Sequence, residues 1–111
     1  MNDRFLCFLG IAKKSGKLVF GMDAVKKECS NLYSVLVASD ISENSLNEIT
    51  EFLMKSGKGK PLKLEYGKDD IERATNKYAA VIGVSDINIC EKIKSLVQTK
   101  TERNDAYNDK V

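Results

Sequence analysis

Phe5, Leu6, Leu9 and Ala12 recur at helical spacing, and this stripe predicts a first helix over residues 3–15. Asn2 or Asp3 can cap its start, and Gly16 can close it in the left-handed conformation. Leu18-Val19-Phe20 predicts a short strand stopped by Gly21, and a second helix follows from Met22 to Asn31 with Val25 inward. Ser34-Val35-Leu36-Val37-Ala38 is a continuous apolar run, the pattern of a central strand covered on both faces. Ser42 caps a third helix through Lys55, with Leu46, Ile49, Phe52 and Leu53 on one face. Beyond the loop 56–61, Leu62, Leu64 and Tyr66 alternate with Lys63 and Glu65, a strand with one wetter face. Lys68 to Thr75 reads as a short helix and Ala79 to Val84 as a second buried strand. Asp86 caps a last helix to Val97 that turns Ile89, Ile93 and Leu96 inward. Helices alternating with short apolar strands predict an α/β fold, a three-layer αβα sandwich around a four-stranded sheet. One domain over residues 1–98 is expected. Residues 99–111 have cancelling charges and no periodicity, and predict a disordered tail.

Composition narrows the function classes. The 111 residues include 18 Lys plus Arg, 16 Asp plus Glu and no His. The length suits a single domain, which can bury roughly 65% of its unfolded surface. Without His there is no His-based triad, general base or metal ligand. Cys7, Cys29 and Cys90 are far apart and form no C-x-x-C pair, so they read as small apolar core residues in a reducing compartment. No segment approaches the ~18 apolar residues of a membrane span, and the first ten residues do not form a signal peptide. The expected location is the cytoplasm.

Candidate chemistry concentrates near the N-terminus. The first thirty residues hold Arg4, Lys13, Lys14, Lys17, Lys26 and Lys27 against Asp3, Asp23 and Glu28, a local excess of positive charge. Gly16 to Gly21 only superficially resembles a phosphate loop, because Met22-Asp23 stands where that motif needs Lys then Ser or Thr. The cluster reads either as a solvated lysine face or as a surface for backbone phosphates. Gly57-Lys58-Gly59-Lys60-Pro61 is a basic connector, with RNA contact as its alternative. Asp40, Glu43, Glu48 and Glu51 read as a solvated acidic face away from any polyanion rather than a Mg²⁺ site. Asp69, Asp70 and Glu72 suit a helix start, where the dipole favours them. No arrangement supplies an acid, base and nucleophile together, so an enzyme is not expected, nor a metal or cofactor.

Several segments together resemble a known family. They are Leu9-Gly10-Ile11-Ala12, Ser15-Gly16-Lys17-Leu18, Gly21, Ala24-Val25, Val35-Leu36-Val37-Ala38-Ser39-Asp40 with Ser42 and Asn44, and Ala80-Val81-Ile82-Gly83-Val84-Ser85-Asp86. In order and spacing they are similar to the bacterial YlxQ-type proteins, small relatives of the L-seven-Ae / L-thirty-e ribosomal-protein superfamily that binds kink-turn RNA. The resemblance spans Phe5 to Val97 and implies an αβα sandwich with a four-stranded mixed sheet.

It also implies a binding surface. Family members grip RNA with the turn before the second helix, the first residues of that helix, and the loop before the last strand. Gly21 matches the family's Gly and Lys27 its Lys. Asp23 stands where Asn is typical and Ala24 where Glu is typical, the pair that reads sheared G·A edges. The second loop maps to Ala74-Thr75-Asn76-Lys77-Tyr78-Ala79. On this resemblance Gly21 and Met22 offer backbone N–H groups to phosphate, with Asp23 beside them. Lys14, Lys17 and Lys27 neutralise phosphates, and Asn76, Lys77 and Tyr78 cover the far side of the RNA. Tyr78 reads either as a stacking platform for an extruded base or as a half-buried strand-start tyrosine. The implied partner is structured RNA, ribosomal RNA among the candidates, with no membrane and no small-molecule substrate. The alternative is a protein-interaction module on the same fold.

Overall fold

The structure, a computed structural model, describes residues 4–97. The expected cap at Asn2 or Asp3 and the expected tail at 99–111 lie outside the described residues. Among the described residues, five α-helices and four strands follow the alternation read from the sequence. The elements are α1 (Arg4–Lys14), β1 (Leu18–Phe20), α2 (Met22–Lys27), β2 (Ser34–Val37), α3 (Glu43–Lys55), β3 (Leu62–Lys63), α4 (Lys68–Thr75), β4 (Val81–Val84) and α5 (87–97).

The sheet order is β1-β4-β2-β3. β4 pairs antiparallel with both β1 and β2, while β2 and β3 run parallel, so the sheet is mixed. Alternation along the two central strands divides the interior. Leu36 of β2, Ala38 just beyond it, and Ile82 and Val84 of β4 face Phe5 and Leu9 of α1, Ile71 of α4, and Cys90 and Ile93 of α5. Val35, Val37 and Val81 face the other way, onto Val25 of α2 and Ile49 and Leu53 of α3. A core on each face makes three layers, and it explains why both central strands read as unbroken apolar runs.

Local signals set the ends of these elements. Gly16 adopts φ 74°. The Lys17 N–H donates to the Ala12 carbonyl at 3.2 Å and the Gly16 N–H to Lys13 at 3.0 Å, a Schellman closure of α1. The Ser42 hydroxyl accepts from the Ser45 N–H at 3.2 Å, and Asp86 accepts from the Ile89 N–H at 3.0 Å. Both caps sit where the sequence put them.

Four expectations need correction. α2 ends at Lys27 and a 3-10 turn, Cys29–Asn31, takes the chain on. That tighter turn brings Cys29 and Leu32 under the sheet. β3 pairs only over Leu62 and Lys63, because the chain bends at Glu65 ahead of α4; Leu64 is nonetheless buried. β4 begins at Val81 rather than Ala79. Cys7 is exposed, since it lies on α1 opposite the Phe5-Leu9-Ala12 stripe, whereas Cys29 and Cys90 are buried.

Candidate nucleic-acid interface

The C-terminal ends of β1, β2 and β3 and the N-terminal end of β4 meet at one end of the sheet. Backbone hydrogen bonds lace this end together. The Gly21 N–H donates to the Val81 carbonyl at 2.8 Å, the Ala38 N–H to Ala80 at 2.8 Å, and the Ser39 N–H to Tyr66 at 2.8 Å. Helices α2, α3 and α4 therefore all begin here, beside the loop 76–80.

Six of the expected site residues come together at this end. Gly21 forms the turn into α2 with φ 103° and ψ 152°, a conformation that favours glycine. Met22 is half-buried and Asp23 exposed in the first turn of α2. Asn76, Lys77 and Tyr78 are all exposed on the neighbouring loop. Tyr78 is 59% exposed, so it is not a half-buried strand-start residue. The Lys68 ammonium, from the first turn of α4, lies 5.6 Å from its ring centroid and braces it.

The other three lie elsewhere. The Lys17 carbonyl accepts from the Ser85 N–H at 3.0 Å and the Ser85 hydroxyl at 3.1 Å, at the opposite end of the sheet. Four residue steps along β1 separate Lys17 from Gly21, about 13 Å at strand rise. Lys14 closes α1 near that far end. Lys27 lies at the last turn of α2, roughly 8 Å along the helix from Met22, as the rise per residue requires. Lys26 is held in an ion pair with Glu48 of α3. The N-terminal lysines are close in sequence but spread over the length of the sheet.

Two assigned roles also change. The Gly21 N–H is engaged by Val81, so it is not free for a phosphate. Asn76 takes φ 63° and ψ 20°, the left-handed end of α4, a conformation that asparagine tolerates better than most residues. The Asn76 N–H donates to the Glu72 carbonyl at 2.7 Å. Thr75 fixes the exit by donating to the Ile71 carbonyl at 2.7 Å while accepting from the Lys77 N–H at 3.2 Å. Asn76 thus has a conformational reason to be there, and its position aims Lys77 and Tyr78 outward.

Charge at this end is mixed. The first turns of α2, α3 and α4 carry Asp23, Glu43, and Asp69 with Asp70. Asp40 also lies here, where its carboxylate accepts from the Lys68 N–H at 3.0 Å. Opposite them stand Lys68 and Lys77. Sequence reasoning missed Lys68 and Asp40 as parts of this end, because only the parallel pairing of β2 with β3 brings them together.

No protein-family model matches the chain, and no curated protein matches its sequence. Solved structures do match its fold. A Bacillus halodurans protein of unknown function superposes with a TM-score of 0.76 at 23% identity, over 86% of this chain and 97% of its own. The Giardia lamblia 15.5kD RNA-binding protein superposes with a TM-score of 0.61 at 13% identity, over 86% of this chain and 92% of its own. The three-layer fold with its mixed four-stranded sheet is one this chain shares with an RNA-binding protein across nearly the whole length of both.

Proposed function

We propose that the protein binds structured RNA at the sheet end bearing Gly21, Met22, Asp23, Asn76, Lys77 and Tyr78, and that it acts by recognition, not catalysis. In this reading it is a cytoplasmic, YlxQ-type relative of the L-seven-Ae / L-thirty-e ribosomal proteins, needing neither metal nor cofactor. The carrying observation is the exposed Tyr78 ring, braced by Lys68 beside the start of α2. The fold shared with the Giardia RNA-binding protein supports it.

The chemistry follows from what is presented. An exposed ring on a fixed loop offers a stacking face to an unpaired base, the usual route to RNA recognition outside helical stems. Lys77 and Lys68 are the cations positioned to meet phosphates, while Asp23 and Asp69 oppose a dense phosphate row. Recognition here then relies on stacking and shape more than on charge neutralisation. If four to six N-terminal lysines acted together, log affinity would fall with log salt at a slope of roughly −3 to −5. Two lysines at this end give a slope near −2, from about −0.9 per phosphate.

A gel-shift titration of a kink-turn RNA across salt tests this, with Lys92→Ala as an exposed control on α5. Saturable binding with a shallow slope, lost in Tyr78→Ala and kept in Lys92→Ala, supports the reading. Absence of binding, or equal losses in both variants, rejects it in favour of a protein-interaction module. That second reading draws on Ile11, 61% exposed beside Cys7 on the outer side of α1.

A further inference from the structure

The far end of the sheet, away from Tyr78, holds a notch that the strand pairing itself creates. Leu36 of β2 pairs with Leu62 of β3. Continued backwards, that register would set Pro61 against Val35 and Lys60 against Ser34. The pairing stops instead at Leu62, and the start of β2 projects past its neighbour. Proline has no N–H to give a ladder, which fits the break. A cavity of about 380 Å³ occupies the gap, lined among others by Tyr33, Ser34, Lys58, Lys60, Lys94 and Val97.

Three features of this cavity point to one kind of ligand. First, its charged lining is wholly cationic. Lys58 is pinned by donating to the Leu32 carbonyl at 3.0 Å, which leaves two of its ammonium protons free to turn to the cavity. Lys60 and Lys94 form no ion pair among the described residues. Second, the Ser34 hydroxyl is buried and has no hydrogen-bond partner among the described residues. Buried polar atoms in folded proteins are nearly always paired, and because Ser34 lines the cavity, a turn about its Cα–Cβ bond brings this orphan to a polar group from outside. Third, Tyr33 is 54% exposed at the mouth and Val97 and Pro61 add apolar surface, which suits a flat ring.

We infer that this notch binds a small phosphorylated molecule carrying a planar ring, the chemistry of a free mononucleotide. Its phosphate lies among Lys58, Lys60 and Lys94, its ring lies against Tyr33, and a polar edge meets the Ser34 hydroxyl once that side chain has turned outward. The volume is within the ~300–1,000 Å³ range of small-ligand sites. The site is separate from the proposed RNA surface and does not depend on it.

The test is a titration of the full chain with AMP, followed by backbone NMR shifts. Adenosine and inorganic phosphate serve as half-ligands, and Lys60→Ala/Lys94→Ala, Ser34→Ala and Tyr78→Ala as variants. We expect saturable shifts centred on Tyr33, Ser34 and Val97, with a Kd below about 1 mM. Each half-ligand should bind at least about tenfold more weakly, as the loss of either set of contacts requires. The lysine double variant should weaken AMP by about tenfold and Ser34→Ala severalfold, because charge-assisted bonds are the stronger ones. Tyr78→Ala should leave AMP binding unchanged, whatever becomes of RNA binding. No saturation by about 10 mM AMP overturns the proposal. So do shifts centred on Tyr78 and Lys77, adenosine binding as well as AMP, or undiminished binding by the lysine double variant.

Discussion

The Asp40 carboxylate accepts a hydrogen bond from the backbone N–H of Lys68 at 3.0 Å, across 28 positions of sequence. Gly67, the residue at the N-cap of α4, has no side chain with which to cap. Asp70 reaches back to the Gly67 N–H at 3.2 Å, and Asp40 supplies a second acceptor, for the Lys68 N–H, from the loop after β2. One carboxylate thereby ties the start of α4, and the Lys68 that braces Tyr78, to the central strand. Asp40→Ala should lower unfolding stability by about 1 kcal/mol, the usual cost of losing a cap, and Asp40→Asn should keep most of it. Urea denaturation measures both. Equal stability of the alanine variant and the parent would show that the bond contributes nothing.

Gly10 sits on α1 where that helix crosses α4. A Cβ there would lie 2.7 Å from the Ala74 carbonyl oxygen, a backbone atom that cannot swing aside. Glycine to alanine in a helix interior ordinarily gains close to 1 kcal/mol. Gly10→Ala should instead lose about 1–3 kcal/mol, as overpacking does, by forcing the two helices apart. A thermal melt that rises in this variant would show that the crossing yields easily.

The Ser34 hydroxyl is buried with no hydrogen-bond partner among the described residues. Ser34→Ala should therefore stabilise the free protein by about 1 kcal/mol, the scale of an unmet hydroxyl. Chemical denaturation checks the sign. The combination of higher stability with weaker AMP binding would be the signature of a residue kept for a ligand.

Tyr78→Ala should weaken RNA binding by about 1–3 kcal/mol, the range measured for a base stacked on an aromatic ring. Tyr78→Phe should retain most of the affinity, because stacking uses the ring and not the hydroxyl. Fluorescence anisotropy with a labelled kink-turn RNA at fixed salt distinguishes them. A phenylalanine variant as weak as the alanine would assign the contact to the hydroxyl instead.

Asp23 and Ala24 open α2 where the resembled family carries its base-reading Asn and Glu. The double change Asp23→Asn with Ala24→Glu leaves the net charge unchanged, moves the carboxylate from position 23 to 24 and adds a side-chain amide at 23. Its affinity for a kink-turn over the same RNA with its G·A pairs replaced should improve by about 1–3 kcal/mol, the worth of a bidentate base contact. No gain in preference would mean that the turn at Gly21 does not present a kink-turn platform.

Much of this protein was legible in one dimension. The apolar stripes of α1 and α3, the caps at Ser42 and Asp86, the close at Gly16, and the two buried strands all depend on side chains within a few positions of each other. Local spacing and turn chemistry decide such features, so the sequence alone determined them and the α/β class with them. Tyr78 and the turn at Gly21 were also visible as candidates. Only the tertiary structure could sort the lysines. Lys14, Lys17 and Lys27 share a short stretch with Gly21, yet a strand and a helix carry them towards the far end of the sheet or back along α2. The same folding joined Asp40 to Lys68, placed Lys68 over Tyr78, and left a notch between Ser34 and Lys60. Each of these is set by which strands pair and in what register. That choice is made by burying two apolar faces at once, and no local pattern encodes which distant residues it brings together.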